Sequence, residues 1–207
     1  MVLEAIDFYG MSQDDILKYL PMKDCGRCGR PACSEFAASL SAGTANMDEC
    51  PETGANIRGS LAGVLTIRLE VREADEKLEA VPEPLIPVNG PTADSPVILT
   101  GNSAITIWVL KMIFDKAPDV SAWILPIDSK GYTMDHVMPM ELMTPLAVTK
   151  AISASGIVNK VNSKVLIMSG LCEGVERKIE TITRWKVIVG PRSGFELPAY
   201  ITKMQSE

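Results

Sequence analysis

CGRCGRPACSEFAASLSAGTANMDECP, residues 25–51, holds four of the five cysteines of this 207-residue chain. The first two are separated by two residues, the next by four and the last by sixteen: Cys25, Cys28, Cys33 and Cys50. Four thiolates in one short segment suit either a tetrahedral structural zinc site or an iron–sulfur cluster. The sequence therefore predicts a metal centre with these four cysteines as its ligands.

Two further features of the segment favour iron–sulfur over zinc. Gly26 and Gly29 allow flexible turns whose backbone amides can point at the sulfides of a cluster. A proline follows the last cysteine in many cluster motifs, and here it is Pro51. Zinc stays open as the alternative at this point.

The residues around the cysteines predict a small helical module over residues 1–56. Apolar residues at helical spacing predict one helix over residues 12–20, where Ser12 and Asp15 resemble a capping box, and a second over residues 33–42. The module has few apolar residues for a core of its own. We therefore expect the metal site to supply much of its stability.

The composition limits the classes of function to consider. The net charge is −6, the pI is about 5.0 and no dense Lys/Arg run is present, so we expect no nucleic-acid partner. Residues 1–15 show no secretory signal, and the longest apolar run, residues 104–114, is interrupted by Lys111. We expect a cytoplasmic protein without a membrane segment, in which clustered cysteines bind metal rather than form disulfides.

A proline-rich seam follows the cysteine module. Residues 81–96, VPEPLIPVNGPTADSP, contain five prolines, a composition typical of a linker. Residues 57–80, which precede this seam, carry an apolar patch followed by a charged stretch, and their start fits either a helix or a strand. We predict a linker over residues 57–94 and a separate domain over residues 95–207.

Residues 95–207 alternate between short apolar runs and helical patterns. The runs predict four strands buried on both faces, over residues 97–100, 122–127, 164–168 and 186–190. The remaining stretches predict helices over residues 103–117, 144–155, 171–184 and near 194–204. Alternation of this kind predicts an α/β fold, a Rossmann-like domain with a parallel sheet and right-handed crossovers.

Each predicted strand runs into small or polar residues. The four ends are Thr100-Gly101-Asn102, Asp128-Ser129-Lys130-Gly131, Ser169-Gly170 and Gly190-Pro191-Arg192. Ligands of open α/β sheets bind at the carboxyl ends of strands, where glycine permits close backbone approach. Any one end also fits a simple tight turn, but four together indicate a ligand site. No G-x-G-x-x-G or Walker motif is present, so neither a dinucleotide nor a nucleoside triphosphate is indicated.

Most of the chain resembles a known family. Residues 19–51 are similar to the N-terminal [4Fe-4S] module of the large (gamma) subunit of corrinoid iron-sulfur proteins, the methyl carriers of the acetyl-CoA synthase/decarbonylase system. The residues that match the pattern of that module are Leu20, Pro21, Cys25, Gly26, Cys28, Gly29, Cys33, Phe36, Ala37, Cys50 and Pro51. The stretches SPVILTGNSAIT, AWILPIDSKGYT, SGIVNKVNSKVLIMSG and WKVIVGPRSGFELPAYI resemble the corrinoid domain of the same subunit. The family carries a TIM barrel between these parts, whereas residues 57–94 alone fill the gap here.

The resemblance implies a corrinoid iron-sulfur methyl carrier. Cobalt in the Co(I) state would accept a methyl group and pass it to an acceptor, and the [4Fe-4S] cluster would re-reduce Co(II) at a low potential. The expected cofactors are the cluster and a corrinoid (cobalamin). The expected partners are methyltransferase proteins, with a reductive activator as a further candidate.

By position, the resemblance places the corrinoid over the predicted strand ends. The implied contacts are Thr100, Gly101, Asn102, Ser103, Asp128, Ser129, Gly131, Tyr132, Thr133, His136, Ser169, Gly170, Gly190, Pro191 and Arg192. His136 is the single histidine, and a cobalt ligand is one role for it, although a hydrogen-bonded loop histidine is the commoner case. The corrinoid motif Asp-x-His-x-x-Gly is not matched, because Asp135 adjoins His136. Cys172 is expected to be a small buried residue.

Two other functions compete with the methyl carrier. One is an iron–sulfur electron-transfer or reductive-activator protein that serves a corrinoid on another polypeptide. The other is a zinc-stabilised binding module without a redox role. The zinc module accounts for the cysteines but not for the resemblance over residues 95–202.

Overall fold

The computed structural model describes residues 10–69 and 78–206 and divides the chain into two compact units. The cysteine unit comprises Met1–Glu70 and Ser193–Glu207, and the sheet unit comprises Val71–Arg192. This division differs from the predicted ranges 1–56, 57–94 and 95–207, because the last helix belongs with the N-terminal helices. Residues 1–9, 70–77 and 207, which those ranges include, lie outside the described residues.

The regular elements of the described residues are numbered in chain order. The helices are α1 (Gln13–Leu17), α2 (Cys33–Ser41), α3 (Ala55–Ala62), α4 (Ala104–Asp115), α5 (Met134–Val137), α6 (Pro145–Ser155), α7 (Glu176–Thr183) and α8 (Leu197–Ser206). The strands are β1 (Ile86–Val88), β2 (Val97–Gly101), β3 (Ala122–Ile127), β4 (Val165–Met168) and β5 (Lys186–Val189). Short 3₁₀ turns cover Met47–Glu49, Val64–Thr66, Ile157–Asn159, Gly170–Cys172 and Gly194–Glu196.

The cysteine unit is a small helical assembly in which α1 packs on α2 and α3 packs on α8. The capping box predicted at the start of α1 is confirmed, with Ser12 and Asp15 exchanging hydrogen bonds. Apolar side chains from all four helices are buried, among them Ile16, Phe36, Leu61 and Ile201. The C-terminal helix therefore contributes core that the N-terminal sequence lacks.

A buried carboxylate joins the C-terminal segment to α1. Glu196 is only 2% exposed, and its Oε2 accepts hydrogen bonds from the Tyr19 hydroxyl at 3.1 Å and from Lys18 Nζ at 3.2 Å. Burial raises the pKa of Glu196, and the Asp15 charge adds to the rise while Lys18 opposes it. Burial beside this carboxylate also raises the pKa of Tyr19.

The sheet unit contains one five-stranded sheet in the order β1-β3-β2-β4-β5. The four predicted strands are confirmed, and they pair in parallel as β3-β2-β4-β5. The prediction of a purely parallel sheet is wrong, because β1 pairs antiparallel with β3 and makes the sheet mixed. The prediction missed β1 because its residues fall in the proline-rich stretch. Ile86 and Val88 are buried while Pro87 is exposed, an alternation that an edge strand allows.

Strand β2 is the central strand of the sheet, and the connections place later strands on both sides of it. The connection through α4 leads to β3 on one side, and the connection through α5 and α6 leads from β3 back across to β4 on the other. Right-handed crossovers of opposite direction place their helices on opposite faces of a sheet. Between the carboxyl ends of β2 and β4 the strand order reverses, which is where ligands of open α/β sheets bind.

The predicted linker, residues 57–94, is partly structured. It contains most of α3, one 3₁₀ turn and β1, while residues 70–77 lie outside the described residues. Among residues 10–69 and 78–206, no helix is both long and apolar enough to cross a membrane.

Candidate functional site

The four clustered cysteines occupy different environments within the cysteine unit. Cys33 is the first residue of α2 and is buried, and Cys50, also buried, ends the 3₁₀ turn Met47–Glu49. Cys28 is half-buried and Cys25 is exposed, and none of the four forms a disulfide. The segment thus carries four free thiols, two on well-packed elements and two on a loop.

The loop that carries Cys25 and Cys28 depends on left-handed backbone positions. Gly26 and Gly29 have φ of 71° and 76°, and the Gly29 amide donates to the Gly26 carbonyl at 2.9 Å. Asp24 is also left-handed, with φ of 46°. Its Oδ1 accepts from the Cys33 backbone amide at 2.6 Å, so the residue before the first cysteine caps the helix that begins at the third.

Ion pairs connect this loop to the segment around Cys50. Lys23 Nζ lies 2.6 Å from Glu52, and the Arg27 guanidinium contacts the same carboxylate. The hydrogen bond from Lys23 holds the pKa of Glu52 below its usual value. Arg30 pairs with Glu49 at 2.7 Å. The cysteine spacing predicted the ligands but not these contacts, although the cations at positions 23, 27 and 30 and the acids at 49 and 52 were visible beside them.

The donor set limits which metal centres the segment fits. Within the described ranges, no three His, Cys, Asp or Glu side chains are grouped so as to hold a metal ion. Four thiols from one segment are nonetheless the ligand set of a [4Fe-4S] cluster. On donor chemistry the residues fit the cluster, and their assignment as ligands stays a prediction.

In the sheet unit, the ends of β2 and β3 are joined by one hydrogen-bonded network centred on Asn102 and Ser129. Asn102 Oδ1 accepts from the Ser129 amide at 3.0 Å and from the Gly131 amide at 3.2 Å. In return, the backbone amide of Asn102 donates to Ser129 Oγ at 3.0 Å. Ser129 Oγ also lies 2.9 Å from the Tyr132 carbonyl oxygen. The structure therefore brings Asn102, Ser129, Gly131 and Tyr132, four of the predicted residues, into contact with one another.

Two of the predicted glycines are required by the packing of the protein itself. A Cβ on Gly101 would lie 2.7 Å from Ser129 Oγ, and a Cβ on Gly170 would lie 2.8 Å from the Gly190 carbonyl oxygen. At the second pair of strand ends, the Gly170 amide donates to the Pro191 carbonyl at 2.9 Å. These glycines allow neighbouring strand ends to meet. From the sequence alone, this role of a glycine cannot be distinguished from a role in the close approach of a ligand.

Helix α5 covers the point between β2 and β4, since it contacts β2 and the turn Gly170–Cys172. Val137 is fully buried there, and the Gly101 amide donates to Met134 Sδ at 3.1 Å. His136 is exposed, and its Nδ1 lies 2.9 Å from Asp135 Oδ2 and 3.3 Å from Thr133 Oγ1. The histidine is thus hydrogen-bonded at the surface of the predicted site, and its role toward cobalt stays a prediction.

Burial sorts the predicted corrinoid contacts into two groups. Five are buried and form the frame: Thr100, Gly101, Ser103, Ser129 and Gly131. The others are half-buried or exposed and can meet a ligand directly: Asn102, Asp128, Tyr132, Thr133, His136, Ser169, Gly170, Gly190, Pro191 and Arg192. Cys172 is fully buried in the core of the sheet, and burial raises its pKa to about 11, as expected for a packing residue.

A strap formed by residues 79–84 crosses the end of β2. The Val81 amide donates to the Asn102 carbonyl and the Ala104 amide to the Glu79 carbonyl, both at 2.8 Å. The strap and α6 form the walls of a groove of about 410 Å³, lined partly by Asn102 and Asp128. This volume suits a small ligand, and a whole corrin ring with its side chains would need the open surface above the strand ends. The proline content of the strap had suggested only a linker.

Family comparisons cover the chain in two consecutive pieces. A family model described as the CO dehydrogenase/acetyl-CoA synthase delta subunit matches residues 52–201, and one described as "Putative Fe-S cluster" matches residues 20–52. The chain belongs to the CO dehydrogenase/acetyl-CoA synthase delta subunit family. The boundary between the two matches falls directly after Cys50 and Pro51, at the end of the cysteine segment.

Individual relatives carry related names. The gamma subunit of the acetyl-CoA decarbonylase/synthase complex of Methanothermobacter thermautotrophicus is 33% identical over 144 residues, which cover 70% of this chain and 31% of the relative. The same subunit of Methanocaldococcus jannaschii is 30% identical over 141 residues, which cover 68% and 29%. The corrinoid/iron-sulfur protein large subunit of Moorella thermoacetica is 51% identical over 37 residues, 18% of this chain and 8% of that protein. The matches thus span less than a third of the length of each relative.

These findings confirm the resemblance to the corrinoid iron-sulfur large subunit. They also confirm the two cofactors predicted for this chain, an iron–sulfur cluster and a corrinoid. Which residues hold each cofactor stays a prediction.

Proposed function

We propose that the chain is a short corrinoid iron-sulfur methyl carrier, in which Cys25, Cys28, Cys33 and Cys50 hold a [4Fe-4S] cluster and the strand ends of the sheet unit hold a corrinoid. The observation that carries this proposal is the succession of the two family matches along one chain, residues 20–52 and then 52–201. A cluster segment alone would suit many redox proteins. Its union with this family favours the pairing of cluster and corrinoid.

The corrinoid supplies a nucleophilic cobalt that takes up a methyl group, and the cluster supplies the low-potential electron that restores that cobalt after oxidation. The residues of the chain then have two tasks. In the sheet unit, the Asn102–Ser129 network fixes the ends of β2 and β3, and the exposed Asp128 and half-buried Tyr132 beside it would be able to meet the ligand. In the cysteine unit, the capped start of α2 holds Cys33 in place.

The partners are part of the same proposal. Two of the relatives named above, those of Methanothermobacter and Methanocaldococcus, are subunits of an acetyl-CoA decarbonylase/synthase complex, which supports protein partners for this chain. We propose methyltransferases that deliver and remove the methyl group, together with a protein that supplies electrons to the cluster. Because the matches cover less than a third of each relative, this chain need not have the same partners as they do.

The test is an anaerobic absorption spectrum of the purified full chain, recorded before and after cobalamin and a low-potential reductant are added. We expect a broad cluster band, and corrin bands that stay with the protein through gel filtration and shift to a sharp Co(I) feature on reduction. Iron and acid-labile sulfide should be present in equal amounts, and C33S should lose both. The matched variant C172S should keep both, because Cys172 lies in the core of the other unit.

The alternatives give different results in the same experiment. A cluster band without retained cobalamin would overturn the methyl carrier and favour an electron-transfer protein that serves a corrinoid elsewhere. A colourless protein that also fails to take up iron and sulfide would overturn both, and would favour the zinc-stabilised module.

A further inference from the structure

Arg30 makes more contacts than its place in an exposed loop would require. It stands between Cys28 and Cys33 in the sequence, yet its side chain is only 22% exposed. The two other cations of the loop, Lys23 and Arg27, are 58% and 67% exposed and share one carboxylate, Glu52. Arg30 is therefore the cation of this loop that is packed into the unit.

The guanidinium of Arg30 joins three separate parts of the cysteine segment. Its Nη1 donates to the Cys28 carbonyl oxygen at 3.0 Å and to Glu49 Oε2 at 2.7 Å. Its Nε donates to Ser39 Oγ on α2 at 2.9 Å. The guanidinium carbon also lies 5.4 Å from the ring centre of Phe36, which is a cation–π distance.

Each of these three parts carries a cysteine. Cys28 is the residue whose carbonyl accepts the hydrogen bond. Helix α2, which holds Ser39 and Phe36, begins at Cys33. Glu49 is the last residue of the 3₁₀ turn that ends at Cys50, and its other oxygen accepts from the Asn46 amide, which caps that turn. The planar, always-charged guanidinium of Arg30 thus contacts three elements that each carry a cysteine. The ammonium group of a lysine could not make the same set of contacts.

We propose that Arg30 is the positioning residue of the four-cysteine site, because it fixes the Cys28 loop, helix α2 and the turn before Cys50 relative to one another. It also places a positive charge at the backbone of one ligand residue. This inference rests on the proposed function, since it takes the four cysteines as the ligands of a cluster. Outer contacts of this kind typically contribute tenfold or more to the retention of a metal centre.

The two effects of Arg30, geometry and charge, can be separated by substitution. R30Q removes both, and R30K keeps the charge but loses the fork. E49Q removes the opposite charge and leaves one acceptor oxygen where Glu49 uses two, one for Arg30 and one for the Asn46 amide. We expect all three variants to lose iron to a chelator about tenfold faster than the unaltered chain. The reduction potential of the cluster should fall in R30Q and rise in E49Q, because a nearby cation favours the reduced, more negative cluster. In R30K it should stay near its original value.

R27Q is the matched control. It removes a cation equally close to the cysteines in sequence, but one that is exposed to solvent and paired with a carboxylate outside the Arg30 contacts. We expect iron retention in R27Q to equal that of the unaltered chain, since exposed pairs contribute little. Thermal unfolding of each variant, recorded with its cluster in place, shows whether it still folds, and E49Q and R30K still test the inference if R30Q does not fold.

Several results would overturn the inference. One is unchanged iron retention in R30Q, R30K and E49Q, and another is equal loss in R27Q. A third is a potential that moves in the same direction in R30Q and E49Q, which general loosening of the segment would produce. If the unaltered chain itself assembles no cluster, the proposed function fails and this inference fails with it.

Discussion

In the cysteine segment, the backbone follows loops whose shape depends on side chains such as Asp24 and Arg30. At the strand ends of the sheet unit, by contrast, backbone hydrogen bonds between parallel strands set the position of each residue before any side chain acts. In the first region, two of the four proposed ligands are not buried, since Cys25 is exposed and Cys28 is half-buried. The second stands on a sheet whose three inner strands are mostly buried, and the central strand β2 is buried along its whole length.

This difference separates what each region needs from its cofactor. A segment held mainly by polar contacts at the surface gains little free energy from burial, so metal binding and folding are expected to be coupled there. A sheet with a continuous apolar core should fold without its ligand. The two units should therefore respond differently when the cofactors are removed.

Removal of the cluster is expected to have the largest effect. Reductive chelation of iron should strip backbone protection from residues 24–52 in amide hydrogen exchange, because the loop then loses the bonds that hold its four cysteines. The amides of β2, β3 and β4 should keep their protection. All three tryptophans, Trp108, Trp123 and Trp185, lie in the sheet unit, so the midpoint of urea unfolding by tryptophan fluorescence should not move.

Loss of protection in both regions on removal of iron would contradict this difference between them. If the sheet unit lost protection together with residues 24–52, the two regions would form one cooperative system. Removal of the corrinoid from the holoprotein offers the complementary control, and it should leave the amides of residues 24–52 unchanged.

A cavity in the sheet core is expected to be the next largest effect. Leu99 is 1% exposed on the central strand β2, and Leu99→Ala should lower the free energy of unfolding of the sheet unit by about 3 kcal/mol. Val158→Ala removes an apolar side chain that is 45% exposed in the same unit, and it should change that free energy by less than about 0.5 kcal/mol. Urea unfolding by tryptophan fluorescence measures both, and a similar loss in the two variants would contradict the packing described here.

The two regions should also differ in their tolerance of a methyl group on glycine. Gly101→Ala would push Cβ against the fully buried Ser129, so we expect a loss of about 2 kcal/mol in the sheet unit, with weaker cobalamin retention. Gly59→Ala, in the exposed part of α3, meets nothing within 4 Å and should stabilise the cysteine unit by about 0.5 kcal/mol. Hydrogen exchange of each unit gives both values. A neutral Gly101→Ala would mean that Ser129 can move, and the Asn102–Ser129 network would then not be a rigid frame.

The sequence predicted those parts of the molecule that follow from local pattern. The four parallel strands and the helices α4, α6 and α7 could be located because buried strands and amphipathic helices have distinct periods, and the capping box of Ser12 and Asp15 is a local signature. Strand β1 was missed because the period-2 alternation of Ile86 and Val88 spans only three residues among prolines. The place of α8 in the cysteine unit depends on contacts nearly 180 positions apart, such as that of Tyr19 with Glu196, which no local pattern contains. At the site, the cysteines were evident from their spacing, whereas the role of Arg30 depends on three partners brought together by folding.

The buried contact between α1 and the C-terminal segment should give the smallest effect, one that depends on pH. Because burial raises the folded pKa of Glu196 above its ordinary value of 4.5, its contribution to stability is fully present below that value and is lost as the pH rises through the folded pKa. Glu196→Gln does not titrate and keeps an oxygen that can accept from Tyr19 and Lys18. The stability of the unaltered chain relative to E196Q should therefore decrease from pH 4 to pH 7, as measured by hydrogen exchange of the amides of α8. Asp15 and Lys18 titrate in both proteins, so their contributions largely cancel in this difference. If the difference in stability instead grew with pH, the ion pair with Lys18 would outweigh the free-energy cost of burying the Glu196 charge. The polar contacts of Glu196 would then stabilise the cysteine unit more than its burial destabilises it.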